Sequence, residues 1–179
     1  MLHLAKEQEI LQGKVTDVYF IRAKEILRKK KIHRHVKAEF TVKKFPQNWG
    51  YGVLAGLEEA LALLRRLPVT VWAMPEGTFF RAGEPVMVIG GDYLDFIEYE
   101  TALLGLLCQA SGIATKASRF RKLAEDRVVM SFGSRRVHPV LAPMVERSAY
   151  LGGCDGVSSV KGASRIGLQP VGTMPHSLV

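Results

Sequence analysis

A chain of 179 residues, 47% of them hydrophobic, can bury the core of one large domain or two small ones, which excludes a disordered or fibrous protein. No stretch reaches the ~18 uncharged apolar residues of a membrane span, and the start MLHLAKEQEILQGK lacks a basic-then-apolar signal pattern, so a cytoplasmic location is expected. The net charge of +8 sits largely in RAKEILRKKKIHRHVK (22–37), where lysines complement the dipole of a helix end and no stacking aromatics are interleaved; nucleic acid is not the expected partner.

Residues 16–31, TDVYFIRAKEILRKKK, read as a helix with Thr16 or Asp17 as N-cap and lysines in its last turn. VKAEFTVKKF (36–45) alternates apolar and polar residues, as a half-exposed strand does, and stops at Pro46. Apolar residues at helical spacing make GVLAGLEEALALLRRL (52–67) a second helix, closed by Pro68. VTVWAM (69–74) is a strand. Pro-Glu-Gly, Ala-Gly-Glu-Pro and Gly-Gly then cut PEGTFFRAGEPVMVIGGDYLDF into short strands. These elements predict a small antiparallel sheet packed on helices, one α/β layer of about 95 residues.

IEYETALLGLLCQASGIATKASRFRKLAED (97–126) reads as a long helical region, interrupted near Ser111-Gly112. Its small residues permit close helix packing. Cys108 and Cys154 fall within core segments and are expected as buried free thiols. A single asparagine, Asn48, and five glutamines give the composition a thermophilic lean.

After Arg127 the rhythm becomes strand, loop, helix: RVVMSF, GSRRVHP, VLAPMVERSAYLGG, then CDGVSSV, VKGASRIGL and a last strand in QPVGTMPHSL. Such repeats predict a parallel sheet or (β/α) barrel, with chemistry on loops at the C-terminal ends of strands. Three polar clusters are read at such ends: Ser134, Arg135, Arg136 and His138; Asp155; and Thr173 with His176. About three of the eight strands of a closed barrel are present. The chain therefore reads as the front part of a longer protein, or as a subunit completed by a second polypeptide.

TDVYF (16–20), ETALLGLLCQASGIATKASR (100–119), SFGSRRVHP (131–139), YLGGCDGVSSV (150–160) and GTMPHSLV (172–179), in this order and spacing, resemble the nicotinate phosphoribosyltransferase family, especially its short archaeal-type members. The resemblance implies an α/β fold with an N-terminal α/β sandwich and linking helix (1–110), followed by the first strands of an irregular (β/α) barrel (111–179). It implies synthesis of nicotinate mononucleotide and pyrophosphate from nicotinate and phosphoribosyl pyrophosphate. ATP is hydrolysed as co-substrate, Mg²⁺ accompanies the phosphates, and homodimers share their active sites.

By position in those motifs, Tyr19 matches the tyrosine that stacks on the pyridine ring from the neighbouring subunit, and Phe132 the aromatic on the opposite face. Arg135 matches an arginine beside the ring's carboxyl group, Asp155 an acidic residue near the ring, Thr173 a nicotinate-contacting threonine, and His176 the histidine phosphorylated by ATP. Arg136 and His138 are candidates for phosphate or carboxylate contacts. The chemistry suits these residue types: an aromatic pair restricts a flat heterocycle, an arginine fork matches a carboxylate, and a histidine accepts a phosphoryl group.

Each assignment has a structural competitor: Tyr19 and Phe132 as core aromatics, Asp155 as a turn cap. Two other functions also stay open. A quinolinate phosphoribosyltransferase is the nearest enzymatic rival, since SGIAT (111–115) occurs in that branch too, although SFGSRR stands where that branch has an Asp-Thr-Arg-Lys-type run. The second is a non-catalytic half-protein acting as an assembly module.

Overall fold

The computed structural model describes residues 3–178. Helices α1 (Glu7–Leu11) and α2 (Val18–Lys29) lead into strand β1 (His35–Thr41); β2 (Gly52–Val53), α3 (Leu57–Leu64), β3 (Thr70–Ala73), β4 (Phe79–Phe80) and β5 (Pro85–Asp92) follow. Then come the short α4 (Tyr93–Phe96), the long α5 (Glu100–Ala124), β6 (Met130–Ser131), α6 (Ala142–Leu151), β7 (Gly156–Val157) and α7 (Val160–Arg165). An antiparallel sheet in the order β1-β5-β3 forms the first layer, β2 pairs antiparallel with β4, and β6 runs parallel to β7. The chain is thus a mixed α/β structure whose antiparallel part precedes a parallel one.

Several expected boundaries shift, each for a visible reason. The helix expected over 52–67 begins only at Leu57, because Gly56 takes a left-handed φ of +84° and residues 52–53 pair with β4. A Cβ on Gly56 would also lie 2.4 Å from the Leu106 carbonyl oxygen. The Gly-Gly expected to end a strand lies inside β5, where it makes room for its neighbour: a Cβ on Gly90 would stand 3.2 Å from the Trp72 ring, and one on Gly91 2.9 Å from Val69.

α5 runs unbroken through Ser111-Gly112, contrary to the expected interruption. Its buried face is a stripe of Leu103, Leu107, Ala110, Ala114 and Ala117, the spacing of one helical side. Ser111 and Thr115 lie one turn apart on that side and serve the backbone of residues 53–55. The Ala55 amide donates to Ser111 Oγ (3.0 Å), which donates in turn to the Ala55 carbonyl (3.1 Å), and the Val53 amide donates to Thr115 Oγ1 (2.8 Å). These polar residues complete hydrogen bonds instead of breaking the helix.

The main core gathers Leu54, Met87, Ile89 and Leu103, all nearly inaccessible, between the sheet and α5. Cys154 is buried as expected, and burial pushes its thiol pKa up; Cys108 is exposed, correcting the expectation that both thiols lie in the core. It sits on the α5 side that borders an apolar groove with Phe40, Phe45 and Trp49.

An ion-pair cluster ties the two parts together. Arg147 of α6 grips Glu76 in two bonds (Nη1–Oε1 3.2 Å, Nη2–Oε2 2.7 Å), while Glu76 Oε1 also accepts from the Leu57 amide at the start of α3 (3.0 Å). The additional contact from Arg147 to Glu58 (2.8 Å) involves a largely exposed carboxylate and adds little. Arg147→Ala is expected to cost about 2 kcal/mol, since it strands a partly buried carboxylate. Urea unfolding of the two proteins measures this, and an unchanged midpoint would show the cluster to be idle.

Candidate active site

The parallel pair β6–β7 defines the site. Met130 lies opposite Gly156 and Ser131 opposite Val157, and the ladder ends with the Ser158 amide donating to the Ser131 carbonyl (3.1 Å). Two loops leave the same C-terminal end. The first carries Phe132, half-exposed, and then Gly133 and the 3₁₀ turn Ser134–Arg136. The second carries Ser158 and Ser159, and the Ser159 side chain caps α7 by accepting from the Gly162 amide (3.2 Å). The segment beyond α7 returns beside β7, where the Val171 amide donates to the Val157 carbonyl (2.9 Å).

Arg135 and Arg136 are exposed, and among the described residues neither guanidinium pairs with a carboxylate. Two uncompensated cations beside an aromatic ring at a strand end suit a flat anion. His138 shapes its own turn, with Nδ1 accepting from the Val140 amide (3.3 Å) at the start of the 3₁₀ turn Pro139–Leu141. Thr173 and His176 follow Val171 and are exposed, His176 opening the 3₁₀ turn His176–Leu178. The strand expected over QPVGTMPHSL is not formed; Val171 alone bonds to β7, and Pro170 and Pro175 offer no amide to a ladder.

Asp155 does not stand with these groups. It precedes β7, at the N-terminal end of the pair, and Oδ2 accepts from the Val129 amide (2.7 Å) and from Arg121 Nη1 (2.7 Å). The Val129 amide chiefly, with Arg121, holds its carboxyl below the usual carboxylate range, against a contrary effect of burial. The placement of Asp155 at a C-terminal strand end is therefore corrected: the strand inside CDGVSSV is only Gly156–Val157, so Ser158 occupies that end.

Tyr19 lies on the first turn of α2, more than half exposed, with its ring 4.3 Å from that of Phe20. Partial burial, then Asp17 and Glu100, raise its phenol pKa. α2 packs on α4 and the turn Ile97–Tyr99, whereas the turn that follows Phe132 packs on α6.

Glu146, which sequence reasoning passed over, is fully buried behind both loops. Its Oε1 accepts from Ser134 Oγ (2.6 Å) and Ser158 Oγ (3.1 Å), and its Oε2 from the Ser159 amide (2.8 Å). The signal for it was a single charge within the apolar stripe Ala142, Val145, Ala149 of α6.

Comparison with known proteins gives this arrangement a family. The family model described as "Quinolinate phosphoribosyl transferase, N-terminal domain" matches residues 17–111, and its C-terminal counterpart matches 113–179. The chain belongs to the quinolinate phosphoribosyl transferase family, the type II phosphoribosyltransferases of pyridine nucleotide biosynthesis. A crystal structure of nicotinate-nucleotide pyrophosphorylase from Pyrococcus furiosus is 55% identical, with a TM-score of 0.97 over 99% of this chain and 46% of that one. Human nicotinic acid phosphoribosyltransferase is 25% identical, with a TM-score of 0.82 over 90% of this chain and 39% of its own. The nicotinate phosphoribosyltransferase of Bacillus subtilis is 30% identical over 92% of this chain and 40% of its own length. This chain thus spans less than half the length of these relatives.

Among the described residues no helix is long and apolar enough to cross a membrane. Nor do three His, Cys, Asp or Glu side chains among them stand together to hold a metal ion.

Proposed function

We propose that this chain serves a nicotinate phosphoribosyltransferase, which joins nicotinate to phosphoribosyl pyrophosphate and releases pyrophosphate with ATP as co-substrate. The observation that carries this reading is a likeness that extends over both parts of the chain to proteins named for nicotinate. The Bacillus subtilis protein matches 92% of the chain at 30% identity, and the human one superposes on 90% of it with a TM-score of 0.82.

In this reading the pyridine nitrogen attacks the ribose C1 as pyrophosphate leaves, and no nucleophile from the protein meets carbon. The chain's residues position and stabilise. Phe132 covers one face of the ring and Tyr19 of a neighbouring subunit in a homodimer the other. Arg135 forks the carboxylate, Thr173 contacts the ring, and Arg136 and His138 meet the phosphates or the carboxylate. His176 accepts the phosphoryl group of ATP, forming an N–P bond while ADP departs.

His176→Ala, in the protein as its source makes it, should abolish the dependence of transfer on ATP and leave basal transfer. Coupled assays with and without ATP measure this, and undiminished coupling would remove the phosphohistidine role. The quinolinate reading is favoured by the two family models that match the chain, both described for quinolinate phosphoribosyl transferase. Release of labelled CO₂ from carboxyl-labelled quinolinate, with no incorporation of labelled nicotinate, would establish it instead.

A further inference from the structure

Among the described residues Glu146 is the only charged side chain that is buried, and its exposure is 0%. A carboxylate there is costly unless its oxygens are all engaged, and for stability alone an apolar residue of similar volume serves as well or better. Its contacts indicate another role. Ser134 belongs to the loop after β6, and Ser158 and Ser159 to the loop after β7; Glu146 is bonded to all three. Beyond the last ladder bond, from Ser158 to Ser131, this side chain joins the two loops. The surroundings are shaped to admit it. Gly162 of α7 lies so close that a Cβ there would stand 3.0 Å from Oε2, and a Cβ on Gly133 would stand 3.2 Å from Val145.

We infer that Glu146 is a positioning residue that locks the two strand-end loops at one spacing and turns the hydroxyl hydrogens of Ser134 and Ser158 away from the substrate. The inference rests on the transferase reading for the identity of that substrate. A serine hydroxyl has one hydrogen. With both hydrogens given to Oε1, neither hydroxyl has a hydrogen left to offer a substrate carboxylate. Recognition of the carboxylate therefore falls to Arg135, on the loop that Glu146 holds in place.

Glu146→Gln keeps the shape and spoils the pattern. One orientation of the amide sets its NH₂ against the Ser159 N–H, and the other sets it against the two hydroxyls. In the protein as its source makes it, the KM for nicotinate should rise about 10- to 100-fold, while the KM for phosphoribosyl pyrophosphate stays within about threefold. Amide exchange should quicken at residues 133–136 and 158–162. Ser158→Ala should raise the nicotinate KM in the wild-type background and add nothing in the Glu146→Gln background. Unchanged exchange in both loops together with an unchanged nicotinate KM would overturn the inference, as would full additivity of the two substitutions. If Glu146→Gln does not fold, the Ser134→Ala, Ser158→Ala double variant is read by the same KM split and exchange, with the same opposing outcome. If the wild type consumes quinolinate and not nicotinate, the functional reading fails; the KM split is then read on quinolinate, and the exchange result judges the clamp independently.

Discussion

Alanine in place of Gly152 is expected to cost about 3 kcal/mol, the upper part of the range for overpacking a tight contact. Gly152 closes α6 with an ordinary helical φ of −78°, so backbone strain is not the reason. Space is. A Cβ there would stand 2.2 Å from the Ala114 carbonyl oxygen and 2.7 Å from the Ala117 Cβ, both on α5. Those atoms belong to the middle of a 25-residue helix and have no rotamer to change. The helices must separate, which opens the small cluster of Ala117, Ala149 and Cys154. For a chain of this size the melting temperature should fall by roughly 6–12 °C. Gly105→Ala is the control: it lies in α5 with nothing within 4 Å of the added carbon, and it should stabilise by about 0.5–1 kcal/mol. Thermal or urea unfolding of both variants decides the matter, and a Gly152→Ala loss no larger than about 1 kcal/mol would mean that the contact between α5 and α6 is soft.

Arg135→Ala should have the largest effect on activity. Under the transferase reading it removes a paired, charge-assisted contact to the nicotinate carboxylate, a loss of about 2–3 kcal/mol or roughly 30- to 150-fold in kcat/KM. Arg135→Lys should recover only part of it, because an ammonium keeps the charge but cannot fork. Preference for nicotinate over neutral nicotinamide should shrink in both variants. Steady-state kinetics with the two pyridines tests this. A variant with unaltered kcat/KM and unaltered preference would move carboxylate recognition to Arg136 or another group.

The antiparallel first layer was legible because its strands alternate and its helices keep a 3.6-residue rhythm; the local pattern and the final environment agree. Ser111-Gly112 misled for the opposite reason. Ser111 looks like a helix breaker until its partner is known, and that partner, Ala55, is 56 residues away. The strand-end chemistry was legible as a region but not residue by residue. CDGVSSV reads as one strand, yet only Gly156–Val157 is paired, and where that pair falls decides whether Asp155 or Ser158 faces the site. Glu146 was hidden because its serine partners lie 12 residues away on either side, and the one charge in the apolar stripe of its helix does not say which groups it meets.

Ser111 and Thr115 also bear on the order in which the chain can assemble. Residues 53–55 bond to them across sequence gaps of 56 and 62 residues, so during synthesis that backbone waits for the middle of α5 to leave the ribosome. A fragment ending at residue 110 would contain every strand of the antiparallel layer and still leave the Val53 and Ala55 amides without their acceptors. The long helix is therefore less a connector than a late-arriving template, and slow exchange at those two amides would time its docking.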